Sequence, residues 1–164
     1  MKQRVLKPEP LTAAAFAPFG DVISSAAAQQ KRDINYGNTV RFHDLAKLDL
    51  TAREGRPIVS IFRSTPVPRP IEIKIMERHP LSSQAFYPLS GRPYMVVVAP
   101  KGDFNPDNIR AFLAAQDQGV NYHAGTWHHY SLALDSVSDF LVIDRYAPDD
   151  NCDEVAVENT RIDY

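Results

Sequence analysis

Prolines interrupt this chain too often for long regular elements. Thirteen lie among its 164 residues, about 8% against a usual ~5%, while glycines number only seven. Each proline fixes φ and removes a backbone donor, so long helices and long unbroken central strands are both disfavoured. Proline without glycine is also unlike a flexible linker. One domain, residues 1–164, built from short elements is the expectation, and a chain of this length can bury a core without staples.

Hydrophobic periodicity says which elements these are. The segment Ile71 to His79 alternates most clearly: Ile71, Ile73, Ile75, Glu77 and His79 share one parity, Glu72, Lys74, Met76 and Arg78 the other. The first face begins apolar and ends ionisable. Further strands are expected at Val40 to His43, Ile58 to Arg63, Ala85 to Pro88, Tyr94 to Ala99, Tyr130 to Leu134 and Asp139 to Arg145. Leu11 to Phe16 reads as a short helix with Thr12 as its N-cap. Residues 24–33 read as an exposed loop, and residues 107–115 fit either a helix capped by Asp107 or a strand at Arg110 to Leu113. Many short strands with frequent turn signals predict a mainly β sandwich or barrel.

Charge and cysteine usage exclude several classes. The net charge of −2 offers no basic face for nucleic acid. It hides an asymmetry: residues 1–134 carry +5 and residues 135–164 carry −7. The last stretch reads as an acidic, partly mobile tail, or alternatively as one packed on a basic body. A lone Cys152 makes no intrachain disulfide, and its acidic neighbours disfavour a reactive thiolate. The longest apolar run, Met95 to Pro100, is far short of the ~20 residues that span a bilayer. A cytoplasmic protein with no membrane or nucleic-acid partner is expected.

Two histidine-bearing stretches carry the chemistry. The first is Glu77-x-His79, followed by Gln84 and Gly91; the second is His123-Ala124-Gly125-Thr126-Trp127-His128. The first resembles the leading cupin signature, with Glu77 in place of the first His, His79 and Gly91 matching, and Gln84 in place of the Glu. The second is similar to the trailing signature, with Gly125 and His128 matching, His123 in place of the Pro, and Leu132 where an Asn is expected. The resemblance implies a cupin-like, jelly-roll type β-barrel of short antiparallel strands with a few short helices. It also implies that Glu77, His79, Gln84 and His128 meet inside it, where they could hold a divalent metal such as Ni.

The chain is closer still to one cupin-like branch, the ureidoglycolate lyases. The segments that carry this likeness are Phe16 to Ile23, Arg41 to Leu45, Glu77-Arg78-His79-Pro80, Ser83 to Leu89, Gly119 to His123, Trp127-His128-His129, Asp139 to Leu141, Asp144-Arg145 and Asn151 to Asp153. They span roughly residues 10 to 155. That resemblance implies a homodimer that cleaves ureidoglycolate to glyoxylate and urea in allantoin (purine) degradation. Such a reaction needs a base, an acid, a cation for the carboxylate and hydrogen-bonding partners for urea. Glu77, His79 and His128 are the expected catalytic set. Arg63, on the parity of Val59 and Ile61, is expected to point inward and bind the carboxylate. Gln84 suits urea, Trp127 could wall the pocket, and His123 is a further substrate-binding candidate. His128 and His129 should face opposite ways, with His128 inward. Two other readings remain open on the residues: a non-catalytic cupin-like module that binds a small carboxylate, or another metal-dependent cupin enzyme.

Overall fold

A computed structural model describes residues 3–164. Among these residues fifteen strands run in chain order. They are β1 (Arg4–Leu6), β2 (Glu9–Pro10), β3 (Gly20–Ile23), β4 (Gln30–Ile34), β5 (Thr39–His43), β6 (Arg56–Ser64), β7 (Ile71–Arg78) and β8 (Gln84–Pro88). There follow β9 (Tyr94–Ala99), β10 (Arg110–Ala114), β11 (Gly119–Tyr122), β12 (Trp127–His128), β13 (Leu132–Ala133), β14 (Ser138–Tyr146) and β15 (Asp153–Ile162). One four-residue helix, α1 (Ala13–Phe16), starts at Thr12, whose side chain accepts from the Ala15 amide.

The strands form two main sheets and a separate hairpin. The larger sheet runs β1-β15-β7-β12-β9-β10-β2, with β13 also on β9. The smaller runs β3-β11-β8-β14-β6, and β4 pairs only with β5. The fold is thus the mainly β, cupin-like architecture, with most pairs antiparallel. Phe16, Phe86, Val96, Val98, Phe112, Val120, Phe140 and Val142 fill the space between the sheets. A second cluster, including Ile71, Ile73, Met76, Val97 and Trp127, covers the other face of the larger sheet. Pro66, Pro68 and Pro70 precede β7, and Pro80 ends its extension, as stops that keep the strand short.

Three local expectations change, and the open choice at residues 107–115 is decided. Residues 30–34 are strand, not loop, because they pair with β5. Residues 110–114 are strand: Pro106–Asn108 makes only a short 3-10 turn, capped by Asn105 rather than Asp107. The segment 130–134 contains only β13, preceded by β12. The acidic end is not a mobile tail. It is β15, held between β1 and β7, with Arg78 paired to Asp153.

The alternation in β7 also slips. Ile71, Ile73 and Met76 share one cluster, so the buried face changes parity between Ile73 and Met76. There the partner strand β15 shifts register between Ala156 and Thr160. Glu77 therefore does not continue the face of Ile71 and Ile73. It lies on the opposite one, toward the space between the sheets.

Candidate active site

Several strands deliver polar groups to one end of that interior. His128 on β12 pairs directly with Glu77 on β7 and with Val98 on β9, and its neighbour Trp127 falls on the other face with the second cluster. From the smaller sheet, Gln84 lies on the parity of Phe86, Tyr122 on that of Val120, and Asp144 on that of Phe140 and Val142. Each of these faces starts apolar in the core and ends polar at the same pole.

Glu77, His79 and His128 converge: one ligand-type atom of each lies within 4.8 Å of the others. The His79 and His128 rings are 5.2 Å apart, and His128 stacks on Tyr122 at 4.3 Å with an interplanar angle of 2°. His79 Nδ1 lies 2.8 Å from the Asn151 carbonyl oxygen and Nε2 lies 3.2 Å from Gln84 Oε1. Each ring nitrogen of His79 thus faces an oxygen. Gln84 Nε2 in turn donates to Asp144 Oδ2 at 3.2 Å. Asn151 clamps the loop after β7, accepting from the Leu81 amide and donating to Ser82 Oγ. A cleft of about 220 Å³ opens here, lined by His79, Gln84, Asp144, Asn151 and Cys152 among others.

Burial sets the proton affinities. It raises the Glu77 carboxyl above the ordinary glutamate value, against the opposing pull of His79. It pushes His128 down to about 3 and His129 to about 4, so both rings are neutral at pH 7. His128 Nδ1 faces the His129 carbonyl oxygen at 3.3 Å, and its buried Nε2 has no partner. Burial also raises the Tyr122 phenol, with Glu77 adding to the effect. The Cys152 thiol is raised chiefly by burial and then by Glu77, Glu154, Asp150 and Asp153, which leaves it a poor nucleophile at neutral pH.

The neutral, buried His128 has a consequence for stability. Unfolded, it regains its ordinary pKa near 6.5 and binds a proton that the folded ring refuses down to about pH 3. Its contribution is therefore fully present above pH 6.5 and declines as pH falls. Between pH 6.5 and 4 the loss is on the order of 3 kcal/mol. His129 acts in the same direction, and the raised Glu77 partly offsets both. In protein stripped of divalent ions, the thermal midpoint should fall on acidification more steeply for the wild type than for His128→Asn. Parallel profiles would contradict this.

Three expected site residues lie elsewhere. Arg63 does not point inward. The parity of Val59, Ile61 and Arg63 is the exposed face of β6, and the guanidinium forks onto Asp139 at 2.8 and 3.0 Å. Trp127 is not a pocket wall. It is buried behind the larger sheet against Phe104, with Arg78 over its ring and its Nε1 donating to the Gly102 carbonyl. His123 lies outside the cluster, 3.1 Å from Asp21 Oδ2, in a separate cleft with Lys47, Ser83 and Lys101. Conversely, Tyr122, Asp144 and Asn151 belong to the site but were not among the expected residues. The signal for the first two was available: Val120-x-Tyr122 and Phe140-x-Val142-x-Asp144 repeat the apolar-then-polar alternation.

An interior lined by core aromatics, with carboxylate, imidazole and amide groups gathered at one pole, is that of a cupin-like protein. Comparison with known proteins then narrows the class. The family model described as ureidoglycolate lyase matches residues 3–163. A protein from Burkholderia cepacia named ureidoglycolate lyase is 56% identical over 155 residues, covering 94% of this chain and 87% of its own. A protein of the same name from Brucella melitensis biotype 2 is 52% identical over 154 residues, covering 94% and 90%. The chain belongs to the ureidoglycolate lyase family.

Proposed function

We infer that this protein is a lyase that cleaves ureidoglycolate to glyoxylate and urea, in allantoin degradation. The supporting observation is the meeting of Glu77, His79 and His128 at one pole of the interior, in a chain with family relatives of that name. Glu77 takes the proton of the substrate hydroxyl, a task that its raised proton affinity suits. As the oxygen's electrons form the glyoxylate carbonyl, the carbon–nitrogen bond breaks and its pair goes to nitrogen. His79 donates the proton that nitrogen needs to leave as urea. Proton exchange with solvent then resets Glu77 and His79. His128, whose Nδ1 lies 3.8 Å from Glu77 Oε1, holds that carboxylate in place. Purified protein given ureidoglycolate should release glyoxylate. Tight binding without turnover would favour a sensing module instead.

As an alternative to these proton-transfer roles, the same residues fit a divalent cation such as Ni. His128 is held neutral with its Nε2 lone pair free. His79 is oriented through Nδ1 by a backbone oxygen, as metal-bound imidazoles usually are, and Glu77 supplies charge. Gln84 Oε1 stands beside His79 Nε2 as a fourth donor. When bound, such an ion supplies positive charge for the substrate's carboxylate and hydroxyl oxygens. That charge is otherwise scarce at the cleft: the basic side chain lining it, Arg145, is forked onto Asp149 at 2.8 Å.

The protein is further proposed to be a homodimer acting in the cytoplasm. A free, exposed Cys152 suits a reducing compartment, and cell fractionation tests that assignment. Among the described residues no helix is long and apolar enough to cross a membrane. Strand β6 is a long sheet edge whose outer face leaves Val59 67% and Ile61 54% exposed, a surface that a second copy would cover. Light scattering should give twice the 18.4 kDa chain mass, and Ile61→Asp should halve it. A monomeric wild type would contradict the dimer.

A further inference from the structure

We infer that Asp144 recognises the ureido end of the substrate and so selects a urea leaving group. This rests on the lyase reading above. Asp144 follows Phe140 and Val142 inward along β14 and ends in the cleft. Its Oδ2 accepts from Gln84 Nε2, while its Oδ1 is buried and without a partner. A buried carboxylate oxygen left without a donor is unfavourable, and native structures seldom keep one without a role.

The neighbouring guanidinium and amide donors are already engaged. Arg145 gives its Nε to the Ala52 carbonyl and both terminal nitrogens to Asp149. Asn151 Nδ2 is on Ser82, and the Cys152 thiol faces Glu77 at 3.9 Å. Asp144 Oδ1 is therefore open to a donor from the ligand. An ionised Asp only accepts, and the terminal NH2 of a ureido group offers two N–H donors to it. The other end of the substrate, a carboxylate, has no hydrogen to give it. Asp144 thus fixes the direction of binding: ureido group toward Gln84 and Asp144, hydroxyl toward Glu77.

Two ligands that differ only in this group test the inference. N-carbamoylglycine carries the terminal NH2; N-acetylglycine replaces it by a methyl of similar size. By calorimetry the wild type should bind the carbamoyl compound about 10- to 100-fold more tightly, the range expected for a hydrogen bond to a charged acceptor. Asp144→Asn can still accept from Gln84 through its oxygen but then turns an NH2 toward the ligand. Its preference should collapse toward parity. Equal binding of the two ligands by the wild type, which needs no variant, would overturn the inference. So would an unchanged preference in a folded Asp144→Asn protein. Glyoxylate release from ureidoglycolate is read on the same wild-type preparation. Turnover without discrimination defeats the role of Asp144 alone, whereas discrimination without turnover defeats the lyase reading.

Discussion

Glu77→Gln lowers kcat by about 100- to 10,000-fold, the range that general acid–base catalysis contributes. The substitution keeps the size and shape of the side chain and removes its charge and its ability to take a proton. Glu77 is partly buried on β7 opposite His128, and the core strands around it do not depend on its charge. The variant should therefore fold, and KM should move much less than kcat. The wild-type pH profile supplies a second reading. Burial raises the Glu77 carboxyl, so the base form is lost at a pH above the ordinary glutamate value. Activity is full above that point and falls as the carboxylate is protonated, and this acidic limb should be missing from the residual rate of Glu77→Gln. A variant within tenfold of wild type would remove Glu77 from the chemistry.

His128→Ala lowers turnover by at least tenfold and removes a buried aromatic ring. His128 is 1% exposed and stacks flat on Tyr122, so truncation opens a cavity and lowers stability by a few kcal/mol as well. Activity loss alone would then be ambiguous. His128→Asn, smaller but still polar, provides the comparison. Both variants lose the free Nε2 lone pair. Titration of the folded variants with Ni should therefore show weakened binding relative to wild type. Wild-type turnover in His128→Ala would exclude His128 from the site. Unchanged Ni affinity in the variants would exclude it as a ligand.

Much of the fold was legible because period-2 alternation survives wherever one sheet face is buried. β9 falls at Tyr94–Ala99 as expected, and β6, β8 and β14 differ from expectation only at their ends. Thr12 caps α1 because its hydroxyl meets the Ala15 amide, a local interaction that needs no tertiary context. What failed was long-range. Arg63 was assigned inward on the strength of Val59 and Ile61, yet an edge strand can expose apolar side chains to a partner, so parity alone does not identify the inner face. The acidic residues of β15 looked like a tail because charge dominates their composition. Pairing on both sides holds them, and Val157 and Ile162 bury against the second cluster. The parity slip in β7 depends on a register shift in a strand about 80 positions later, which local sequence does not encode.

The site was legible through histidines and much less through oxygens. Glu77, His79, Gln84 and His128 do lie together, placed by the two signature-like stretches. Asp144 and Asn151 come from the far end of the chain and reach the site only when β14 closes against β8. Gly20 shows the same limit in another form. It reads as a helix stop, but its pairing with Tyr122 brings it so near the Asn121 carbonyl that a Cβ would collide with it.

Counting products tests the lyase chemistry most directly. Purified wild-type protein and Glu77→Gln are given ureidoglycolate, and glyoxylate, urea and ammonia are measured in the same samples. Cleavage of the carbon–nitrogen bond by Glu77 and its partners predicts one urea per glyoxylate and no ammonia. It also predicts that the Gln variant loses nearly all of that release. Ammonia in place of urea, or equal rates from the two proteins, would contradict it.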